Sequence, residues 1–350
     1  MTSPLSRYDA VLLLSFGGPE HQQDVVPFLR NVTRGKDIPE ARLAIVGEHY
    51  RRFSGRSPIN DQNRALLAAL RSELAARRID IPVVWGNRNW TPYVADVLTD
   101  LATRGARRVL AVTTSAYPSY SGCRQYLADV DRHCPPGLRV DTVRPYALDD
   151  GFVTANLDAI RAARAALVAQ GHPDPYVLFV THSIPLAMAR TSGPAGSPER
   201  EGNPGGAYVG TLQTVAERIL AGLRTDAGGV PAHGIGYCSR SGPAAVPWLE
   251  PDVRDALRSL AARGVPAVVV APIGFVSDHM EVVYDLDVEA AATARELDLA
   301  MRRAATAGTH PAFVAGLVDR LIATAADPVG CPTGCCPRPD RPARTVEPGR

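Results

Sequence analysis

The sequence predicts an α/β protein made of two similar doubly wound domains, and three observations carry the prediction. The chain has 350 residues, more than one compact core usually takes at roughly 100–200 residues per domain. Short apolar runs rich in β-branched residues alternate with segments of helical periodicity, the order that right-handed βαβ crossovers produce. Most of those runs are continuous rather than alternating, which suits strands buried on both faces of a parallel sheet.

Strands are expected at 9–16 (DAVLLLSF), 81–86 (IPVVWG), 107–115 (RRVLAVTTS), 138–143 (LRVDTV), 176–183 (YVLFVTHS), 234–239 (GIGYCS) and 265–276 (VPAVVVAPIGFV). Helices are expected at 63–78, 94–105, 155–171, 211–225 and 251–264, where apolar residues recur every three or four positions. Several of these segments close on Gly, a helix-stop signal. The two halves should meet near ALDDGF at 147–152, giving domains 8–147 and 148–325 and a cysteine-bearing tail at 326–350.

Composition narrows the function classes. Hydrophobic residues make up 45% and charged residues 21% of the chain, which excludes general disorder. The balance of 38 basic and 36 acidic side chains contains no Lys/Arg run dense enough to track phosphates, so no nucleic-acid partner is expected. The first residues hold one arginine and about seven apolar residues before Gly17-Gly18-Pro19, a buried strand rather than a secretory signal. No apolar run approaches the ~20 residues of a spanning helix. The expectation is a soluble cytoplasmic protein without a transmembrane segment.

In doubly wound sheets ligands sit beyond the carboxyl ends of the strands, so the strand exits are where chemistry should lie. The first exit, Ser15-Phe16-Gly17-Gly18-Pro19, lacks both nucleotide-binding glycine patterns and reads as a tight turn. The third, Ser115 to Tyr126, is an aromatic and hydroxyl-rich loop suited to a flat, partly polar ligand. The fifth carries Thr181-His182-Ser183, and the last runs GFVSDHMEVVYDLD from Gly274 to Asp287. With a helix starting near Asp278, Glu281, Tyr284 and Asp285 fall on one face, converging with His182 across a cleft. An imidazole with a carboxylate suits a transiently held divalent cation. A core histidine and a dipole-stabilised Asp278 are the plain alternatives, but they account less well for His279 and Glu281 together.

LLLSFGGPE near the start, RRFSGRSPIN (51–60), GNRNWTPYV (86–94), TSAYPSYSGC (114–123), THSIP, SRSGPAAVPWLEPDV (239–253) and PIGFVSDHMEVVYDLD (272–287) resemble the signature segments of ferrochelatases. The resemblance spans about residues 8–325 in motif order. It implies two Rossmann-like domains on four-stranded parallel sheets, with a porphyrin cleft between them, and insertion of ferrous iron as the activity. On it, His182 and Glu281 match the residues that bind iron and assist removal of the pyrrole protons, and His279 and Asp285 match a metal path. Ser57, Tyr126, Phe16, Arg34 and Tyr50 match porphyrin-contacting positions. Phe16, Tyr117, Tyr120, Ile273 and Trp248 are expected to wall the flat ring. Two departures stand out: Tyr237-Cys238-Ser239 where many relatives read Trp-Gln-Ser, and Phe16 where some bacterial members carry Tyr. Residues 191–207, rich in Gly and Pro, are expected to form a flexible surface loop.

Six cysteines without a secretory signal argue against a disulfide framework. Cys331, Cys335 and Cys336 crowd the tail, open to a metal cluster, a zinc site or an unstructured thiol-rich end. Some ferrochelatases join three tail cysteines to one from the loop after the third strand, which implies a [2Fe-2S] cluster on Cys123, Cys331, Cys335 and Cys336. Cys134 and Cys238 read as unligated, and PRPDRPARTVEPGR after Cys336 as disordered.

The resemblance is greatest to actinobacterial enzymes, which act on coproporphyrin III with its four propionates. Arg34, Arg51, Arg52 and Arg56 are candidates for the extra carboxylates. It also implies transient contact with neighbouring heme-pathway enzymes. The alternatives are direct use of protoporphyrin IX, or a non-catalytic tetrapyrrole-binding protein of the same architecture.

Overall fold

The computed structural model describes residues 3–35, 38–224, 229–241 and 245–339. Eight strands form two parallel sheets: β1 (Ala10–Ser15), β2 (Val83–Asn87), β3 (Arg108–Thr113) and β4 (Arg139–Thr142) in the first, β5 (Tyr176–His182), β6 (His233–Cys238), β7 (Ala267–Ala271) and β8 (Ala300–Arg303) in the second. The orders are β2-β1-β3-β4 and β6-β5-β7-β8, so the second half repeats the winding of the first. The interior strands β1 and β7 are buried at every position, which is why their sequences are continuous apolar runs.

The α-helices are α1 (Val25–Val32), α2 (Glu40–Arg51), α3 (Ile59–Ala76), α4 (Val94–Thr103), α5 (Gln125–His133), α6 (Asp150–Val168), α7 (Leu186–Arg190), α8 (Pro198–Glu201), α9 (Gly206–Gly222), α10 (Val253–Ala262), α11 (Met280–Val282), α12 (Ala291–Glu296) and α13 (Pro311–Ala326). Two π-helical turns, Tyr120–Arg124 and Val283–Ala290, lead into α5 and α12.

The expected strand at 265–276 stops at Ala271. Pro272 has no N–H to donate, and the chain turns so that the Gly274 N–H donates to the Val180 carbonyl of the neighbouring strand. A Cβ at Gly274 would lie 2.0 Å from Thr181 Oγ1, so only glycine permits this approach. β8 was not among the expected strands: its sequence, AMRR, lies at a sheet edge and is only partly buried.

α13 packs on α6 and also on α3 of the first half. A Cβ at Gly151 of α6 would lie 2.3 Å from the Ala312 carbonyl, so the α6–α13 crossing depends on a missing side chain. The halves are joined further where Tyr117 Oη donates to the Ile273 carbonyl at 3.0 Å. Tyr117 and Ile273 are 3% and 1% exposed, which corrects their expected place as cleft walls: they belong to the core between the sheets.

Residues 191–207 are also more ordered than expected. They contain α8, and Ser192 and Gly193 are buried. Ser192 Oγ accepts from the Tyr208 N–H and donates to the Ala189 carbonyl, which pins the segment to the start of α9. Of the expected disordered end, residues 340–350 lie outside the described residues.

Candidate active site

His182 is the last residue of β5, and β7 is the adjacent strand in the same sheet. The chain leaving β7 therefore returns beside it, and His182 Nε2 lies 3.3 Å from Glu281 Oε2. The convergence predicted from the sequence is present, but not as facing walls: both side chains come from neighbouring exits of one sheet. Their side chains are 33% and 53% exposed, so the pair opens to solvent rather than sitting in solid interior.

The imidazole is held in one orientation. Nδ1 faces the Ser183 carbonyl at hydrogen-bond distance, which requires the proton on Nδ1 and leaves Nε2 as the nitrogen that titrates, donating to Glu281 when protonated. Burial alone would lower the imidazole pKa; the hydrogen bond and charge of Glu281, then the Ser183 carbonyl and Asp285, outweigh it and hold the value above the ordinary one.

Behind His182, Tyr208 Oη donates to the His182 carbonyl at 2.8 Å and lies 2.7 Å from Thr181 Oγ1. Since the phenol proton goes to the carbonyl, the threonine hydroxyl donates to Tyr208. Sequence reasoning missed Tyr208. It lies 26 residues from His182 on a helix whose apolar pattern reads as packing.

Asp285 lies one helical step beyond Glu281 in the π-turn. Burial pushes its pKa up to about 7, with the charges of Glu281 and Glu289 in the same direction and a hydrogen bond from Ser239 and the His182 charge opposing. Ser239 Oγ donates to Asp285 Oδ2. Ser239 has φ +61°, left-handed backbone that is uncommon outside glycine. Nothing in the local sequence marked it as a partner. His279 packs edge-on against Phe275 with ring centroids 5.4 Å apart, and burial pushes its pKa down. A neutral imidazole, a carboxyl that titrates near pH 7 and the His182–Glu281 pair thus lie along one stretch of backbone.

The expected porphyrin contacts do not form one group. Phe16 and Tyr50 meet in an apolar cluster with Phe28 and Met280 under α1 and α2, where Phe28 packs on Phe16 at 6.2 Å and on Tyr50 at 6.1 Å. Ser57 is 3% exposed, and its Oγ would lie 3.0 Å from a Cβ placed on Gly18. Tyr126 is 5% exposed, with the Arg88 guanidinium 4.6 Å above its ring. Arg34 is exposed and bonded to Asn31. Trp248 pairs with Pro185 through the backbone, bracing the loop after His182. Tyr120 opens the first π-turn and is partly exposed. Of the remaining arginines, Arg51 pairs with Glu48 and Arg56 with Asp61, while Arg52 lies over the Tyr284 ring. The neighbouring His49 stacks on that ring at 3.8 Å with an interplanar angle of 5°.

The cysteines do converge. Cys336 contacts both Cys335 and Cys123, and Cys335 contacts Cys331. The Cys336 Sγ accepts the Gly193 N–H at 3.1 Å, and Arg124 donates to the Cys335 and Pro332 carbonyls. Cys336 takes φ +48°, which redirects the chain between the adjacent thiols. None of the six cysteines is in a disulfide. Among the described residues no group of three or more His, Cys, Asp or Glu is arranged to hold a single metal ion, and no helix is long and apolar enough to cross a membrane.

The chain thus has two parallel α/β halves of one winding, with a histidine–carboxylate pair at adjacent strand exits. The fold agrees with that of SirB from Bacillus subtilis with Fe3+, at a TM-score of 0.50 and 12% identity over 91% of this chain and 95% of that one. The sequence profile of ferrochelatase matches residues 8–325, so the chain belongs to the ferrochelatase family. Its relatives include the coproporphyrin III ferrochelatases of Streptomyces griseus, 50% identical over 96% of this chain and 95% of that protein, and Frankia alni, 49% identical over 93% and 82%. The protein from Propionibacterium freudenreichii with the same name is 43% identical over 99% and 98%.

Proposed function

We propose that this enzyme inserts ferrous iron into coproporphyrin III to give its iron complex, with His182 and Glu281 as the reacting pair. The observation that carries the reading is the His182–Glu281 contact, with Nδ1 committed to the Ser183 carbonyl so that Nε2 is the nitrogen that gains and loses the proton beside Glu281. Insertion exchanges two pyrrole N–H protons for one dication, so two protons leave as Fe2+ enters. Nε2 of neutral His182 accepts a proton from the ring. Glu281 stabilises the imidazolium so formed and meets the incoming cation, and Asp285, whose pKa of about 7 lets it exchange protons near neutrality, receives them next. His279 and Asp285 belong to the route by which iron arrives. Phe16 and Tyr50 contribute to an apolar wall, and Ser57, Tyr126 and Arg34 remain porphyrin-contact candidates.

The relatives' names support coproporphyrin III as the substrate. Steady-state insertion of ferrous iron into coproporphyrin III and protoporphyrin IX tests it. The expected result is at least about a tenfold higher kcat/KM for coproporphyrin, a difference of ~1.4 kcal/mol in transition-state binding. A preference for protoporphyrin overturns this assignment without touching the His182 chemistry.

The same reading places a [2Fe-2S] cluster on Cys123, Cys331, Cys335 and Cys336. The four thiols fit it as donors, since they are unbridged and in mutual contact. The tail thiols Cys331, Cys335 and Cys336 are held protonated: the contact with Cys123 is the largest cause pushing Cys336 up to about 12, and a cluster would displace protons on binding. Bound there, it would supply a one-electron redox centre. The anaerobically purified protein should be brown and lose its colour on Cys123→Ser; a colourless protein containing zinc would reject the cluster. A cytoplasmic location and transient contacts with neighbouring heme-pathway enzymes complete the proposal.

A further inference from the structure

The segment from Asp278 to Asp287 carries His279, Glu281 and Asp285, and from Val283 onward its backbone is π-helical. π-turns are rare and occur mostly as single widened turns within α-helices, so such a segment depends on what holds it from outside. Among the groups holding this one is Arg303, at the end of β8. Its Nη1 and Nη2 donate to the two carboxylate oxygens of Asp278 at 3.0 and 3.1 Å, and its Nε donates to Asp287 Oδ1 at 2.6 Å. One planar cation therefore staples both ends of the metal-handling segment. The Arg303 and Asp278 side chains are 18% and 16% exposed, Asp287 35%, so the bidentate arm is largely shielded from water. The Asp278 N–H in turn donates to Gln62 Oε1 of α3, at 2.8 Å, tying the same corner to the first half. Neither carboxylate is a partner of His182.

We propose that Arg303 is a positioning residue for iron delivery: by bridging Asp278 and Asp287 it fixes the segment between them, so that Glu281 and Asp285 stay facing His182. The inference rests on the proposed roles of His182 and Glu281. Lys at 303 keeps the charge but cannot form the planar two-oxygen fork.

The test uses the full chain and compares Arg303→Lys, Arg303→Ala and Asp287→Asn with the parent. Four quantities are read: the KM for ferrous iron, kcat, porphyrin affinity without metal by fluorescence quenching, and the melting temperature. In Arg303→Lys the KM for iron rises about tenfold, as is usual when an outer partner of a metal-handling group is lost, while porphyrin affinity and melting temperature stay close to the parent. Asp287→Asn, which opens one arm only, gives a smaller rise and serves if Arg303→Ala fails to fold. Unchanged iron kinetics in folded Arg303→Lys and Asp287→Asn overturn the proposal. So does a parallel fall of porphyrin affinity, kcat and melting temperature, which is what a merely structural ion pair gives. His182→Ala measured alongside separates the two failures: an inactive His182→Ala with a parent-like Arg303→Lys rejects only the role of Arg303, whereas an active His182→Ala rejects the reading beneath it.

Discussion

Replacing His182 by Ala lowers iron insertion by about 10³-fold, the scale on which a positioned general base contributes, and leaves the protein folded. The loss is large because no other imidazole takes the position. His279 lies two residues from Glu281, but burial lowers its pKa and its ring packs on Phe275. The structural cost is small because the His182 side chain is one-third exposed and its backbone bonds survive the change: the Tyr208 hydroxyl donates to the main-chain carbonyl, not to the ring. The measurement is the rate of metalloporphyrin formation by absorbance, with thermal unfolding followed in parallel. An enzyme that inserts iron at a parent-like rate without this imidazole removes the proton-transfer role.

Glu281→Gln keeps the shape of the side chain and removes its charge, and kcat/KM for ferrous iron falls about 10²-fold. Its pH profile gives a second readout. The interactions that raise the His182 pKa are, in order, the hydrogen bond to Glu281 and the Glu281 charge, followed by the Ser183 carbonyl and Asp285. Glu281 favours the imidazolium, so without its charge the imidazole loses its proton at a lower pH. The acid limb of kcat/KM, which follows formation of neutral His182, therefore moves toward lower pH even as the plateau drops. A lowered plateau with the acid limb unmoved would mean that Glu281 meets iron without governing the histidine. Unchanged iron dependence would mean that it does neither.

The segments that the sequence made readable are those whose surroundings are simple. β1, β3, β5 and β7 occupy the two interior positions of each sheet, and burial on both faces leaves a continuous apolar run that needs no partner to be recognised. β8 was illegible for the opposite reason: four residues, two of them arginine, pair along an edge. The helices α1, α2 and α13 are likewise hard to read from the sequence. Their apolar faces are short or serve contacts with distant segments, as where Met280 enters the cluster of α1 and α2.

The site divides in the same way. His182, His279, Glu281 and Asp285 stand out in the sequence because parallel sheets place chemistry at strand exits, and the two exits happen to belong to adjacent strands. Tyr208, Ser239 and Arg303 carry no such mark. Their partners, His182, Asp285 and Asp278, lie 26, 46 and 25 residues away, and a tyrosine, a serine or an arginine in those contexts is ordinary. The π-turn was equally hidden, since an i, i+4 spacing is compatible with both an α and a π turn.

The sequence by itself determined the two-sheet α/β architecture, the strand exits where chemistry gathers and the residue types found there, because these depend on local periodicity and on which side chains can hold protons or metals. Only the tertiary structure decided that His182 and Glu281 lie side by side at the exits of one sheet, which nitrogen of the imidazole meets the carboxylate, and which distant groups hold the pair. Those follow from strand order and from contacts between remote segments, and neither is written in any stretch of neighbouring residues.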